Sequence, residues 1–263
     1  MMLRKLKRLI LAWSVSLLLA IASFPFLASG SAYAGPMTID DQGHPKTQLS
    51  ARNIFRNAYD QRYTWNKKFP GYQAEVSLRY DGQLHHGLVQ VSPDFQVTVE
   101  NIDDPEVSEL VKNQLQMEII HRRQVTFSDR HAQDNYVLAG TDKDGAFEIQ
   151  ETGDNGESRY KVRDNKIVQV NRTLGGMAVT VDSLGFITPP EGYLTEHFQT
   201  TFRDPKAREV LLTQDVTDFH EKIGNYYLLT NRTIRSSDPK QPEQLNEADT
   251  LIRFNNIQPL RRA

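Results

Sequence analysis

The stretch Tyr72-Gln73-Ala74-Glu75-Val76-Ser77-Leu78-Arg79-Tyr80-Asp81-Gly82-Gln83-Leu84-His85-His86-Gly87-Leu88-Val89-Gln90-Val91 decides the fold class. Apolar and polar residues alternate with a period of two, the pattern of a half-buried strand. Asp81-Gly82 in the middle suits a two-residue type I′ turn, in which both central residues need positive φ. With that turn, Tyr80 opposes Gln83, Leu78 opposes His85, Val76 opposes Gly87 and Ala74 opposes Val89. One face of the predicted hairpin is then Ala74, Val76, Leu78, His85, Val89 and Val91, and the other carries Gln73, Glu75, Ser77 and Arg79.

Outward from the hairpin the alternation continues through Phe95, Val97 and Val99 as a third strand. Beyond it, turn residues punctuate apolar runs at Asp144-Gly145, Asp154-Asn155-Gly156, Asp164-Asn165, Gly175-Gly176 and Gly224-Asn225. Short strands at such spacing predict a sandwich, barrel or strongly curved antiparallel sheet. If Gly175-Gly176 closes a tight hairpin, Val168, Val170, Arg172 and Leu174 share a face with Met177, Val179 and Val181. Later strands are read at Tyr193 to Phe202, Val210 to Phe219, Tyr226 to Ile234 and Leu251 to Ile257, with Ser236 to Glu247 as a long exposed loop.

Two segments have helical period instead. Ala51, Ile54, Phe55, Ala58, Tyr59 and Arg62 make one stripe behind Ser50, a good N-cap. Asp104-Pro105-Glu106 opens the second helix, with Pro at the first helical position and an acid at the positive end of the dipole. Its stripe is Val107, Leu110, Val111, Leu115 and Ile119, and His121, Arg122 and Arg123 close it. The expected fold is therefore mainly β (α+β): a curved antiparallel sheet or incomplete β-barrel with two helices packed on its concave side, in a single domain over residues 49–263.

The N-terminus sets the compartment. Residues 1–34 carry four basic residues, then an apolar run from Leu9 to Ala28, then Ala32-Tyr33-Ala34, which is the order of a signal peptide. Cleavage between Ala34 and Gly35 by signal peptidase, after passage through the Sec machinery, leaves residues 35–48 as a flexible lead-in and a soluble product in a periplasm or thylakoid lumen. Retention as an anchor helix is the alternative, since the run is long enough to span a bilayer. The export segment holds four of the 31 basic residues, leaving 27 against 33 acids and a net charge near −6. Dispersed negative charge is no footprint for nucleic acid. The chain has no cysteine, so neither a disulfide nor a cysteine-linked lipid is available.

No catalytic residue, cofactor motif or metal site is read. His85 and His86 are adjacent on a strand and point to opposite faces, and no H-x-H, H-x-x-x-H or H-E-x-x-H spacing occurs. Thr141-Asp142-Lys143-Asp144-Gly145 lacks the alternating ligands of a calcium loop. There is no G-x-S-x-G elbow. What is left is the aromatic cluster Tyr59, Tyr63, Trp65, Phe69 and Tyr72, either a core plug where the first helix meets the sheet or the rim of an apolar cavity, together with basic residues after the second helix. The ligand-lining candidates are Trp65, Phe69, Tyr72, Val76, Leu78, His85, Val168, Val170 and Val179. Arg122 and Arg123 are candidate contacts for an anionic head group.

At Arg62-Tyr63-Thr64-Trp65 with Phe69-Pro70-Gly71-Tyr72, Ile120-His121-Arg122-Arg123, Arg159-Tyr160-Lys161-Val162-Arg163, Glu191-Gly192-Tyr193-Leu194 and Arg203-Asp204-Pro205, the chain resembles an uncharacterised family of cyanobacteria and plastids, from about Ala51 to Ile234. The resemblance implies a photosynthetic source and supplies no catalytic residue. In layout, a leading helix, an early inserted helix and the closing pattern Tyr226-Tyr227-Leu228-Leu229 then Leu251-Ile252-Arg253-Phe254 are similar to the outer-membrane lipoprotein carrier fold, which implies a sheltered acyl chain. The function expected is non-enzymatic binding of a lipid-like or apolar ligand. The alternatives are an accessory or assembly factor docking on a membrane-complex protein without a small ligand, and an enzyme of unknown class.

Overall fold

The structure is a computed structural model and describes residues 50–153, 156–239 and 250–260. The predicted signal segment, the lead-in, Asp154-Asn155 and most of the predicted loop after Ser237 lie outside the described residues.

Twelve strands form one antiparallel sheet: β1 (Tyr72–Tyr80), β2 (Gln83–Val91), β3 (Val97–Glu100), β4 (Asn135–Thr141), β5 (Phe147–Gly153), β6 (Gly156–Arg163), β7 (Lys166–Leu174), β8 (Met177–Ile187), β9 (Leu194–Arg203), β10 (Val210–Ile223), β11 (Tyr226–Ser237) and β12 (Thr250–Pro259). Their order across the sheet is β3-β2-β1-β12-β11-β10-β9-β8-β7-β6-β5-β4. The two edge strands, β3 and β4, are consecutive in sequence. A barrel would form if they paired; instead the chain between them runs as helices α2 (Pro105–Arg122) and α3 (Phe127–His131), preceded in sequence by α1 (Ala51–Asp60). The result is the expected curved sheet, not closed into a barrel.

Local chemistry accounts for the elements. Asp81 and Gly82 have φ of 48° and 78°, and the β1–β2 register is the one read from the sequence, Tyr80 with Gln83 through Ala74 with Val89. Gly175 and Gly176, at φ 52° and 79°, close β7 onto β8 with Leu174 opposite Met177. Ser50 Oγ accepts from Asn53 N at 3.2 Å to cap α1. Asp104 Oδ1 accepts from Glu106 N at 2.9 Å and Val107 N at 3.3 Å to cap α2. Gly192, at φ 136°, is required because a Cβ there would lie 2.7 Å from both Gln61 O and Tyr63 N, where residues 61–63 cross the start of β9.

Register places all three helices on one face. Tyr160, Val170, Val181, Thr200 and Gln214 are successive cross-strand partners from β6 to β10, and Asp218, Arg232, Ile252 and Leu78 continue that face from β10 to β1. At one end α1 and α3 bury Ile54, Phe55, Ala58, Tyr59 and Phe127 against Ile149, Tyr160 and Val162. At the other, α2 buries its expected stripe against β1, β2 and β12, with Trp65, Phe69 and Tyr72 filling the seam.

Four sequence expectations change. Helix α3 was not foreseen, because five residues are too few to show a period; Thr126 Oγ1 caps it by accepting from Asp129 N at 3.1 Å. Strand β4 was not foreseen, because as an exposed edge it lacks a clean alternation of burial. Phe95 precedes β3 with φ 69°; its ring lies parallel to Trp65 and Phe69, with centroids 6.4 and 5.7 Å away. Ser236 and Ser237 belong to β11 rather than to a loop, because Ser236 faces the covered side opposite Gln214.

Candidate functional site

The covered face carries two polar constellations and, between them, an apolar one. The first lies under α2. Besides its apolar stripe, this helix buries Gln114, Glu118 and Arg122, spaced i, i+4, i+8 along a second stripe aimed at β10 and β11. Glu118 Oε1 accepts from Arg122 Nε at 2.6 Å and lies 3.2 Å from His220 Nε2. Arg232 donates from Nε and Nη2 to the two oxygens of Asp218 at 2.7 and 2.6 Å, and from Nη1 to Gln114 Oε1 at 3.1 Å. Burial alone would push the Glu118 carboxyl up, but Arg122, His220 and Arg232 outweigh it and hold the group well below the usual carboxylate range. This is a set of buried, hydrogen-bonded ion pairs, in which His220 Nδ1 is buried without a hydrogen-bond partner, 3.6 Å from Glu196 Oε1.

The second constellation lies under α1 and α3. His131 Nδ1 is 2.8 Å from Asp134 Oδ2 and 3.1 Å from Glu151 Oε1, while Tyr136 and Tyr160 donate their hydroxyls to Glu151 Oε1 and Oε2 at 2.7 and 2.6 Å. Burial disfavours charge on His131, but the two carboxylates raise its pKa overall. Burial also works against the Glu151 anion, yet the bonds from His131, Tyr136 and Tyr160 bring its pKa to about 2. Among the described residues, Glu118–Asp218–His220 and His131–Asp134–Glu151 are the groups that gather three metal-ligating side chains. In both, the oxygens a metal would need already accept hydrogen bonds from arginine, histidine or tyrosine.

The third constellation sits between them. Val179, Phe202 and Leu212, 7%, 5% and 0% exposed, form a buried apolar cluster, and Leu174, Met177 and Val181 pack against it partly exposed. Every member comes from β7 to β10, so no described helix residue belongs to this floor. Arg172 stands on β7 directly opposite Val179, where the floor meets the α1 end; its Nη2 donates to Tyr160 Oη at 3.2 Å, and its Nε is buried without a partner. The Gln214 amide nitrogen, on the same face of β10, is likewise buried and unpartnered. Leaving such donors unmatched is costly; Asn113, His220, Asn231 and Thr250, towards the α2 end, also bury an unmatched polar atom, but Arg172 and Gln214 are the ones beside the strand-only cluster. A groove of about 300 Å³ lined by Tyr59, Arg62, Gln124, Thr126 and Phe127 opens beside the α1 end.

The candidates read from the sequence fall into separate groups. Trp65, Phe69, Tyr72, Val76 and Leu78 are in the filled core around α2. His85 and Val168 are half-buried, Val170 packs against the α1 cluster and Val179 lies in the strand-only floor. Arg122 is buried and held by Glu118. Arg123 is exposed, with its guanidinium 5.9 Å from the Phe95 ring centroid. Arg62, read from the sequence as the last residue of the first helical stripe, lies beyond the end of α1 at Asp60; Arg130 and Gln214 carried no sequence signal. Arg172 did leave a signal, a lone cation on an apolar strand face.

Residues 46–260 match the family described as "Protein of unknown function (DUF3386)". The chain belongs to that family. No curated protein matches it. Among solved structures it is similar to a DUF1329 family protein from Desulfovibrio piger, at 12% identity over 80% of this chain and 93% of that one, with a TM-score of 0.29. It is also similar to the LolA superfamily protein NE2245 from Nitrosomonas europaea, at 10% identity over 81% and 95%, with a TM-score of 0.29.

Proposed function

We propose that this family member is an exported, non-enzymatic protein that binds a lipid-like or other apolar ligand in the periplasm or thylakoid lumen. The observation that carries the reading is the floor of Val179, Phe202 and Leu212, with Leu174, Met177 and Val181, which is built from strands alone between two helix-covered ends of one face. A concave apolar surface with a few polar groups is the usual form of a small-molecule site, and here Arg172 and Gln214 supply unmatched donors. The basic and then apolar first 34 residues support export of the domain. Among the described residues no helix is long and apolar enough to cross a membrane. Native mass spectrometry of the protein purified from its own cells tests the reading: a mass increment and an amphiphile in the solvent extract are expected, and a clean mass with an empty extract would overturn it.

A second reading, an accessory factor docking on a membrane-complex protein, is favoured by different residues. Leu84 and Leu88 on β2 are 63% and 44% exposed, and Val137 and Leu138 on edge strand β4 are 61% and 44% exposed. Exposed apolar residues on an unpaired edge invite partners. Co-purification of membrane-complex subunits that is lost on changing Leu84 and Val137 to Lys would support it, and recovery of the protein alone would count against it.

A further inference from the structure

Three half-buried basic residues, Arg62, Arg130 and Arg172, differ from the two fully buried arginines among the described residues. Arg122 and Arg232 each face a carboxylate at 2.6 Å. Arg130, half-buried on α3, has no carboxylate or hydrogen-bond acceptor for its guanidinium among the described residues. Its electrostatic neighbours are Tyr59, Tyr160 and two further arginines, Arg62 and Arg172. Arg62 lies on the Tyr59 ring, 3.6 Å from its centroid, and donates from Nε to Tyr59 O at 2.9 Å. Arg172 touches Tyr160 through one nitrogen and leaves Nε buried and unmatched.

Arg62 and Arg172 are thus the charged neighbours of Arg130, and none of the three has an ion pair to an acid among the described residues, the nearest carboxylate to Arg172 being Glu151 on the far side of the Tyr160 hydroxyl. Burial and like charge both work against Arg130, and its pKa is lowered accordingly. The two fully buried arginines are each paired with a carboxylate; like charge held half-buried without one is relieved by an anion, for which guanidinium forks are well shaped. The position fixes what else the ligand needs. Arg172 is the cross-strand partner of Val179, so an anion held there has the apolar floor directly beside it.

We propose that the site takes an anionic amphiphile, a carboxylate- or phosphate-headed chain, with its head on Arg62, Arg130 and Arg172 and its tail along Val179, Val181 and Phe202. This rests on the reading of the floor as an apolar-ligand site. The head-group role assigned from the sequence to Arg122 and Arg123 passes to these three residues.

The test is calorimetric titration of the purified exported protein with oleate, dodecyl phosphate, oleyl alcohol and inorganic phosphate. Both anionic amphiphiles are expected to bind roughly tenfold or more tightly than oleyl alcohol, in keeping with the greater strength of charge-assisted hydrogen bonds. The preference should fall towards unity in Arg130→Gln and, independently, in Arg172→Gln. Arg130→Gln should also leave the melting temperature unchanged or raised, because no protein partner is lost. Equal binding of oleate and oleyl alcohol would overturn the anionic head while leaving the apolar site standing. Binding of inorganic phosphate as tightly as of the amphiphiles would reduce the cluster to a free-anion site and overturn the proposal. No binding of any chain would overturn the apolar reading and the proposal together. A lower melting temperature in Arg130→Gln would mark that residue as structural and remove it from the site.

Discussion

Replacing Arg232 with Met should expose how the covered face is held together. The guanidinium makes four hydrogen bonds, two to Asp218 at 2.7 and 2.6 Å and two to Gln114 at 3.4 and 3.1 Å. Met is close in volume, so packing changes little, but the Asp218 carboxylate, 2% exposed, loses its counter-ion. Removing one partner of a buried pair costs about 3–5 kcal/mol, because the remaining charge is stranded away from water. At about 2–4 °C per kcal/mol for a domain of this size, the melting temperature should fall by roughly 10 °C. Adding Asp218→Leu to Arg232→Met removes the stranded charge. The double variant should recover to within about 1–2 kcal/mol of the parent, since a buried pair exchanged for apolar side chains is often close to neutral. The residual is the unmatched Gln114 oxygen together with the loss of the Arg232 cation 3.7 Å from Glu118 Oε2. Urea denaturation of the four proteins gives the cycle directly. A single-variant loss below about 1 kcal/mol, or a double variant that loses the sum of both singles, would refute the picture of a buried, mutually dependent ion pair.

Three further outcomes follow from the same geometry. Gly71 has φ 76°, and a Cβ there would meet Val91 O at 2.3 Å, whereas at Gly82, with φ 78°, nothing lies within 4 Å. Gly71→Ala should therefore cost roughly 3 kcal/mol or more and Gly82→Ala only about 1–2 kcal/mol, as read by denaturant midpoints; equal costs would contradict the assigned contact. For the His131–Glu151 pair, Glu151 is depressed from 4.5 to about 2, so its contribution is present above about pH 4.5 and lost as pH falls towards 2. His131 is raised above 6.5, so its contribution is present below that value and lost as pH rises through the raised pKa. Stability from this pair should peak between those limits, and Glu151→Gln should lower the peak and flatten the acid limb of a stability–pH profile; an unaltered acid limb would sink the assignment. Trp65, 1% exposed and stacked on Phe69 with centroids 4.3 Å apart, should lose about 3–5 kcal/mol as Ala, and a loss under 1 kcal/mol would show that the seam is not filled core.

What could be read from the chain was what depends on near neighbours. The register of residues 72–91 follows from a period of two and a turn whose φ values only certain residues accept, and the α2 cap follows from Asp104-Pro105. Gln114, Glu118 and Arg122 read as surface positions, because the partners that bury them, Asp218, His220 and Arg232, lie about a hundred residues along the chain. Arg122 read as a free cation although its partner Glu118 is only one turn away, because nothing near in sequence shows that this face of the helix is buried. Val168, Val170 and Val179 were placed on one face correctly, yet Trp65 and Tyr72 joined them only by being aromatic; those rings fill the seam beside α2. Arg172 was visible as a cation among apolar residues. Its meaning required Arg130, on a helix too short to show a pattern, and Arg62, after the end of α1.

The most direct test of the central claim is a crystal structure of the protein soaked with a fatty acid brominated near the tail and measured at the bromine edge. An anomalous peak is expected against Val179, Val181 and Phe202, with the carboxylate towards Arg130 and Arg172. A peak confined to the outer face of the sheet, or well-ordered crystals with none, would contradict it.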